Sequence, residues 1–564
     1  MSRREARPLY SEKAMVDSTL EGQKPVTGAS LRIQAGEAAI TSAWVPLRQK
    51  LFRTLWIAAV ASNVGTWMHE VGASWLMTQL APSPLTVSLI QTAEALPVFL
   101  LALAAGALAD VVDRRRLLIF SQSWMLAAAF GLGLLTVLRL TTPHLLLAFT
   151  FLLSFGGALN GPAWQAIVPE LVPRAELPAA VSLNSVGFNV ARAAGPALGG
   201  LVVAAAGSGA VFLLNAVSFL GVIVVLYHWR RAPGKSALPA ERVLGAIRSG
   251  LRYVMHAPPI HSVLIRLSLF MLGASALWSL VPLFARQNLG RGAAGYGVLL
   301  GFFGVGAVIG GSFLPRTQLE LGIQRLLGAA TILFASALAL MALWHRFPVG
   351  CTAMFAAGFA WTSELSTFNT SIQLNTPAWV RGRALAVYQL TYFAGLGAFS
   401  ALWGTVALHV GVARALLIAA LALGAGLTLA ARFRVGLGEG LDLAPSSRPV
   451  PVVVNEPDVE RGPVLVTVEY RIDPPRAVEF TAAMLELGRV RRRDGAMRWE
   501  LFEDVAAPGR YLETFVVESW AEHLRQHERA TVSDRQVWER VRSFHLNESP
   551  PAASHLLYAY HEEH

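Results

Sequence analysis

The sequence predicts an all-α membrane protein, with twelve transmembrane helices in two six-helix bundles, followed by a small α+β domain. Three observations carry that prediction. Charged residues make up 15% of the 564 and hydrophobic ones 54%, with a mean hydropathy of +0.48, whereas soluble domains carry about 25% charged residues. Twelve apolar runs, each long enough to cross a bilayer core, follow one another between residues 54 and 432. The loops between them alternate in basic content: 19 Lys or Arg stand on the side that holds both termini and five on the other. Basic loops stay on the cytoplasmic side, so both termini are expected there.

In chain order, residues 1–47 are polar and aperiodic and read as an N-terminal tail without a cleavable signal peptide. The spans are expected near 54–80, 85–109, 117–138, 143–168, 178–206, 208–229, 259–286, 293–315, 325–345, 347–374, 383–408 and 411–432. Residues 48–229 then form one six-helix bundle and 259–435 the other. Between them, 230–258 reads as a cytoplasmic linker. Within it, Val243, Leu244, Ile247, Leu251 and Val254 recur at helical spacing between Arg242, Arg248 and Arg252, as in an amphipathic helix at a lipid surface. Offsetting the halves by 204 residues sets Pro173 on Pro377 and Gly200 on Gly404. At 205, Gly106 falls on Gly311 but Asp110 on Pro315, as if a second copy of the unit had lost its charged hairpin.

Polar side chains inside the spans locate the expected site, because a polar group in lipid is costly unless buried or wetted. Spans three, six, nine and twelve are almost free of charge and read as lipid-facing. Spans one, four, five, seven, ten and eleven carry the polar residues and would surround a central cavity. Asn63, Thr66, Glu70 and Ser74 recur every three or four residues and share one face of span one. Ser185, Asn189 and Arg192 do the same in span five, and Glu364, Thr367, Ser371 and Asn375 in span ten. An unpaired charge at the bilayer centre costs on the order of 2.5–3.5 kcal/mol, so Arg192 is expected to pair with Glu70 or Glu94. One of these carboxylates would be a protonation site; the alternative is a static pair that fixes helix packing. Glu364, with Arg266 as the basic residue at its depth, is expected either to carry the proton of the second half or to be neutral and hydrogen-bonded. Asn63 and Asn189 complete the expected cavity set. His69 points about 100° away from Glu70 and reads as a packing residue.

Two motifs sharpen the picture. Gly106-Ala-Leu-Ala-Asp110-Val-Val-Asp-Arg114-Arg115-Arg116 is a short charged hairpin between spans two and three, held on the cytoplasmic side by its arginines. Asp110 there needs a nearby arginine or a helix N-terminus. Gly195-Pro196-Ala-Leu-Gly199-Gly200 in span five joins a bend to close helix contact, either as a packing seam alone or as a determinant of direction. The hairpin resembles the loop signature Gly-x-Leu-Ala-Asp-x-x-Gly-Arg-Arg/Lys of the major facilitator superfamily, with Val111 in place of the usual base and Asp113 in place of the glycine. The span-five sequence resembles the core of that superfamily's antiporter motif, with Ser182 and Ala191 where two earlier glycines are usual. With Trp75-Leu-Met-Thr-Gln-Leu, Ser83-Pro-Leu-Thr, Ala95-Leu-Pro and Asn189-Val-Ala-Arg192-Ala-Ala-Gly-Pro, they resemble the enterobactin-exporter-like permeases, or transmembrane secretion effectors, over about residues 48–435. The resemblance implies proton-driven export of a siderophore, drug or other small organic molecule by alternating access across a bacterial inner membrane. It also implies a cytoplasmic gate of Gly106, Asp110, Arg114 and Arg115, latching near Arg381 and Arg383. An importer or facilitator of similar fold is the alternative.

Residues 436–462, rich in Pro and Ser, read as a linker, and 463–564 as a separate cytoplasmic domain. Strands are expected over 464–472, 497–502, 511–518 and 555–560, with helices over 476–492 and 523–544. The order βαββαβ is that of a ferredoxin-like domain. It resembles the dimeric barrel of antibiotic-biosynthesis monooxygenase-type proteins, which implies dimerisation or regulation ahead of catalysis. His523 and His527 stand four apart, as metal ligands can, but no third ligand is evident, so a solvated helix face is expected and no metal site.

Composition excludes several classes. Residues 1–462 hold 34 basic against 19 acidic residues, and 463–564 hold 13 against 17. The overall +11 thus belongs to the membrane part and follows topology rather than a nucleic-acid footprint. The single Cys351 excludes an internal disulfide framework and argues against a structural zinc site. The chain shows no phosphate-binding loop and no flavin, haem or nucleotide motif, so neither a cofactor nor enzymatic activity is expected, an enzymatic tail being the rival case. The expected partners are a small-molecule substrate, protons, the bilayer and a second copy through the tail.

Overall fold

The computed structural model describes residues 44–229, 243–446, 457–458 and 460–559. The expected N-terminal tail up to residue 43, the first part of the 230–258 linker and much of the 436–462 linker lie outside the described residues, as does the Asp110 side chain. The first half comprises α1 (Lys50–Leu80), α2 (Pro84–Val111), α3 (Arg114–Val137), α4 (Pro143–Leu171) and α5 (Leu177–His228). A linker helix, α6 (Val243–Met255), precedes the second half. That half comprises α7 (Pro258–Leu283), α8 (Ala293–Leu321), α9 (Ile323–Leu343), α10 (Phe347–Leu374), α11 (Arg381–Val410) and α12 (Val412–Ala430).

Among the described residues, nine helices are long and apolar enough to cross a membrane. α1 and α10 are not among them, although they are 31 and 28 residues long; these two hold polar stripes read from the sequence. α5, at 52 residues, is two helices broken at Gly207, whose φ is 81°. A residue without Cβ takes that left-handed backbone without strain. Gly411, with φ 87°, makes the same break between α11 and α12. The two glycines stand 204 residues apart, which is the offset of the internal repeat.

The halves meet where α2 packs on α11 and the first arm of α5 on α8. Small residues let these backbones touch. A Cβ on Gly200 would lie 2.7 Å from Gly297 Cα, and one on Gly404, its repeat partner, 3.0 Å from Leu85 Cα. Trp75 stacks on Tyr296 with ring centroids 6.1 Å apart, and Arg286 donates to the Thr78 carbonyl. All of these contacts lie at the end of the bundle away from both termini. α3, read as lipid-facing, differs from that expectation: it turns Ser121 and Gln122 inward, where both donate to Asn160 Oδ1 of α4, at 3.3 and 3.0 Å.

The tail is a four-stranded antiparallel sheet in the order β2-β3-β1-β4, built from β1 (Val464–Arg471), β2 (Arg498–Glu503), β3 (Arg510–Val517) and β4 (Ala552–Leu557). Strict alternation in β1 and β3 sends Val464, Val466, Val468 and Tyr470, with Tyr511, Phe515 and Val517, to one buried face. Phe480, Met484 and Leu487 of α13 (Ala477–Asp494) fill that core. The single helix expected over 523–544 is two, α14 (Trp520–Arg529) and α15 (Val532–Arg542), because Thr531 and Asp534 form a capping box that starts a new helix.

α6 is a helix as expected, but part of its surface is covered by protein. Arg383, near the start of α11, donates to Ser249 Oγ at 2.6 Å, and Tyr253 meets the Trp379 ring edge-on at 5.6 Å. The tail docks on the same place. Glu522 of α14 accepts from Arg252 of α6 at 2.9 Å and from Arg529 at 2.6 Å. The Arg529 guanidinium lies 4.5 Å above the Trp379 ring, and that of Arg493 lies 5.4 Å above the Tyr253 ring.

Candidate functional site

The polar faces of α1, α2 and α5 converge where the halves join. They line a cavity of about 520 Å³, closed on the other side by aromatic residues of α7, α10 and α11. It shares Asn63, Thr66 and Phe188 with a second compartment of about 760 Å³ inside the first half. There Asn184 and Asn189 face Asn160 and Gln165 across the space.

Glu70, Glu94 and Arg192, read from three different spans, all line the first cavity. Among the described residues they form no ion pair with one another. Arg192 Nη2 instead donates across the joint to Thr362 Oγ1 of α10 at 3.2 Å. Glu94 Oε2 accepts from Gln91 Nε2 at 3.1 Å, and its backbone carbonyl accepts from Ser154 Oγ. Two carboxylates thus share a largely apolar space without a fixed countercharge, where Coulombic interactions are stronger than in water. His69 also borders the cavity, against the Phe212 ring at 4.4 Å. Both its ring nitrogens, and Trp278 Nε1, are buried without a hydrogen-bond partner among the described residues.

Asn63 borders both compartments, and Asn189 the second, donating from Nδ2 to the Ser185 carbonyl at 2.9 Å. Glu364 does not line the central cavity. It is buried between α7, α9 and α10, with Oε1 accepting from Thr331 Oγ1 at 2.5 Å. Arg266 borders the same small void and donates to Gln324 at 2.7 Å. The span-ten stripe therefore does not face the central cavity: Glu364 is turned into the second half, and Trp361 and Leu365 of the same helix line the cavity instead.

At the charged hairpin, Arg114 Nη1 donates to Glu170 at 2.9 Å and to the Ala166 carbonyl at 3.1 Å. Arg115 reaches the Leu226 and Tyr227 carbonyls, both at 2.8 Å. These arginines tie the hairpin to α4 and α5 within the first half. In the glycine motif, a Cβ on Gly195 would meet Trp67 Cβ at 2.6 Å and one on Gly199 would meet Met68 Cα at 2.8 Å, both on α1. Gly200 faces α8, and Pro196 lines a narrow pocket that also borders Glu70 and Arg192.

Sequence reasoning missed the aromatic wall. Trp278 and Trp361 stand edge to face at 5.6 Å, and Trp361 and Tyr392 at 6.3 Å. In an apolar run, an aromatic turned to a cavity reads the same as one turned to lipid. In the tail, the helix face expected to be solvated is covered: His523 is buried, β4 brings His555 to 4.7 Å from it, between ring centroids, and His527 Nε2 lies 3.4 Å from His523 Nε2. Burial first, then the neighbouring His527, His555 and Arg491, push the His523 imidazole down to about 3. Among the described residues no group of three or more His, Cys, Asp or Glu is arranged to hold a metal ion. Glu513 was also missed. It is fully buried and accepts from Tyr470 Oη, Arg491 Nε and Trp499 Nε1, so its role is to satisfy the tail's core.

The sequence profile described as transmembrane secretion effector matches residues 41–563. The chain is 33% identical to the uncharacterized MFS-type transporter YfiS of Bacillus subtilis over 215 residues, which is 37% of this chain and 50% of YfiS. It is 22% identical to the staphyloferrin A transporter of Staphylococcus aureus, over 58% of this chain and 82% of that one. It is 28% identical to the multidrug efflux pump Tap of Mycolicibacterium fortuitum, over 60% and 85%. Its fold is similar to the inward-facing, unoccupied crystal structure of a bacterial homolog of the human lysosomal transporter Spinster. That match has a TM-score of 0.54 and 15% identity, over 69% of this chain and 98% of the other.

Proposed function

The chain belongs to the transmembrane secretion effectors of the major facilitator superfamily, and from that membership we propose that it exports a small organic molecule in exchange for protons, by alternating access. One observation carries the reading. Glu70, Glu94 and Arg192 meet in a single cavity at the joint of two repeats, and the repeats touch at the end away from both termini. With the termini in the cytoplasm of a bacterium, as the basic loops argue, the carrier is closed to the outside. Counting α1 and α10, and dividing α5 at Gly207, supports a reading of twelve crossings of the plasma membrane. The strand order of the tail supports reading it as a ferredoxin-like domain. A carboxylate enclosed without a countercharge is tolerated as the neutral acid or against a cation. Protons from outside and cargo from inside therefore use the same groups in turn, and rocking of the halves exchanges their access. The siderophore and multidrug relatives support a small organic cargo.

Everted membrane vesicles with an acid interior test this. An exporter draws dye, drug or siderophore into the lumen, discharges the proton gradient as it does so, and loses both with Glu94→Gln. Gradient-driven uptake in right-side-out vesicles would mark an importer instead, and uptake indifferent to the gradient a facilitator.

A further inference from the structure

We propose that the cavity between the halves is shaped for an organic cation with an apolar aromatic body, and not for an anionic chelator; this rests on the exporter reading above. Both Glu70 and Glu94 border the space, and among the described residues neither is neutralised by a lysine or arginine. The one guanidinium present, that of Arg192, is tied across the joint to Thr362. Two potential negative charges therefore face one positive charge. The opposite wall repeats the preference in another form. The Trp278, Trp361 and Tyr392 rings stand steeply to one another, with interplanar angles of 65° and 77°, so they present π faces and edges in more than one direction. The face of an aromatic ring carries negative potential and attracts a cation, most of all where water is excluded. A cation resting there meets carboxylate on one side and aromatic rings on the other. An anion of similar size would meet two carboxylates, with Arg192 alone to oppose them.

The test compares two ions of matched shape and opposite sign, tetraphenylphosphonium and tetraphenylborate, by equilibrium dialysis against the full chain in a neutral detergent, counting only binding displaced by excess unlabelled ion. Tetraphenylphosphonium should bind and tetraphenylborate should not. Glu70→Gln and Glu94→Gln should each weaken the cation by about tenfold or more, the size expected for removing one charge at contact range. Arg192→Gln should tighten it by about tenfold, a gain that misfolding cannot produce. Equal or preferential binding of tetraphenylborate, absence of binding by both ions, or weaker cation binding in Arg192→Gln each overturns the proposal. The vesicle assay separates this failure from the larger one. If siderophores or neutral solutes still discharge the proton gradient, only the cation assignment falls; if no solute does so, the exporter reading falls as well.

Discussion

Replacing Gly200 by alanine should loosen the closed end of the cavity. The added Cβ would sit 2.7 Å from both the Ala293 carbonyl oxygen and Gly297 Cα, where non-bonded carbons rest at about 3.5–4.0 Å. Both neighbours are backbone, so no side chain can turn away, and α5 and α8 must separate by about 1 Å. Overpacking of this kind costs about 1–3 kcal/mol, and it does so only in the state in which the two helices touch. The cost therefore falls on one side of the alternating equilibrium and shifts it by roughly five- to 150-fold. A cysteine at Ser74, buried on the outer part of α1, reports the shift in a Cys351→Ala background. An impermeant maleimide added from outside should react at least about fivefold faster with Gly200→Ala than without it. Gly301→Ala is the control, because its Cβ would meet nothing nearer than Ala197 Cβ at 3.4 Å. Equal labelling rates for the two variants, in folded and inserted protein, would refute the glycine contact as the closure.

Three further outcomes are expected. Asp110→Asn should lower transport while leaving expression and insertion largely intact, and unchanged efflux in vesicles would remove the hairpin from the gating scheme. Glu522→Gln keeps the shape of a side chain that is 10% exposed but removes the charge facing Arg252 and Arg529; breaking a buried pair costs about 3–5 kcal/mol. Amide exchange should then accelerate in Trp520–Arg529 and Val243–Met255, and unchanged exchange would show that docking does not depend on this residue. Finally, the folded tail holds His523 neutral down to about pH 3 whereas the free imidazole takes up its proton near 6.5. Between those values the unfolded tail binds the extra proton, so stability falls as pH drops through that window, by at most about 1.4 kcal/mol per unit, and is level above it. Exchange within α14 followed from pH 7 to pH 4 should show this slope in the native chain and a flatter one in His523→Gln.

Hydropathy and helical spacing made much of the membrane part legible, since each span must satisfy its own backbone hydrogen bonds and announces itself by length. The same spacing singled out Glu70, Arg192 and Asn63, and Glu94 stood out as a lone carboxylate in its span, because a polar group is noticed against an apolar background; all four line one cavity. It could not tell which side of α10 faces the centre, so Glu364 and Trp361, three residues apart, exchange the places that polarity alone would assign them. The Arg192 ion pair was expected from the cost of isolated charge; the chain meets that need with Thr362 of the opposite half, a contact 170 positions away. The docking of the tail was equally hidden. Arg252, Trp379 and the Glu522–Arg529 pair lie on three separate elements, and no local pattern links them.

That docking has a mechanical consequence. Trp379 lies in the turn that joins α10 to α11, the two helices that bring Trp361 and Tyr392 to the cavity, and Arg529 sits flat upon it. Every tail contact named above reaches the second half or its linker helix. If the halves rock as proposed, the C-terminal domain travels with the second half, and anything that grips or loads it pulls on that half alone. A pair of fluorophores, one on the tail and one beside Glu170 on the other half, would turn each swing of the machine into a change of distance.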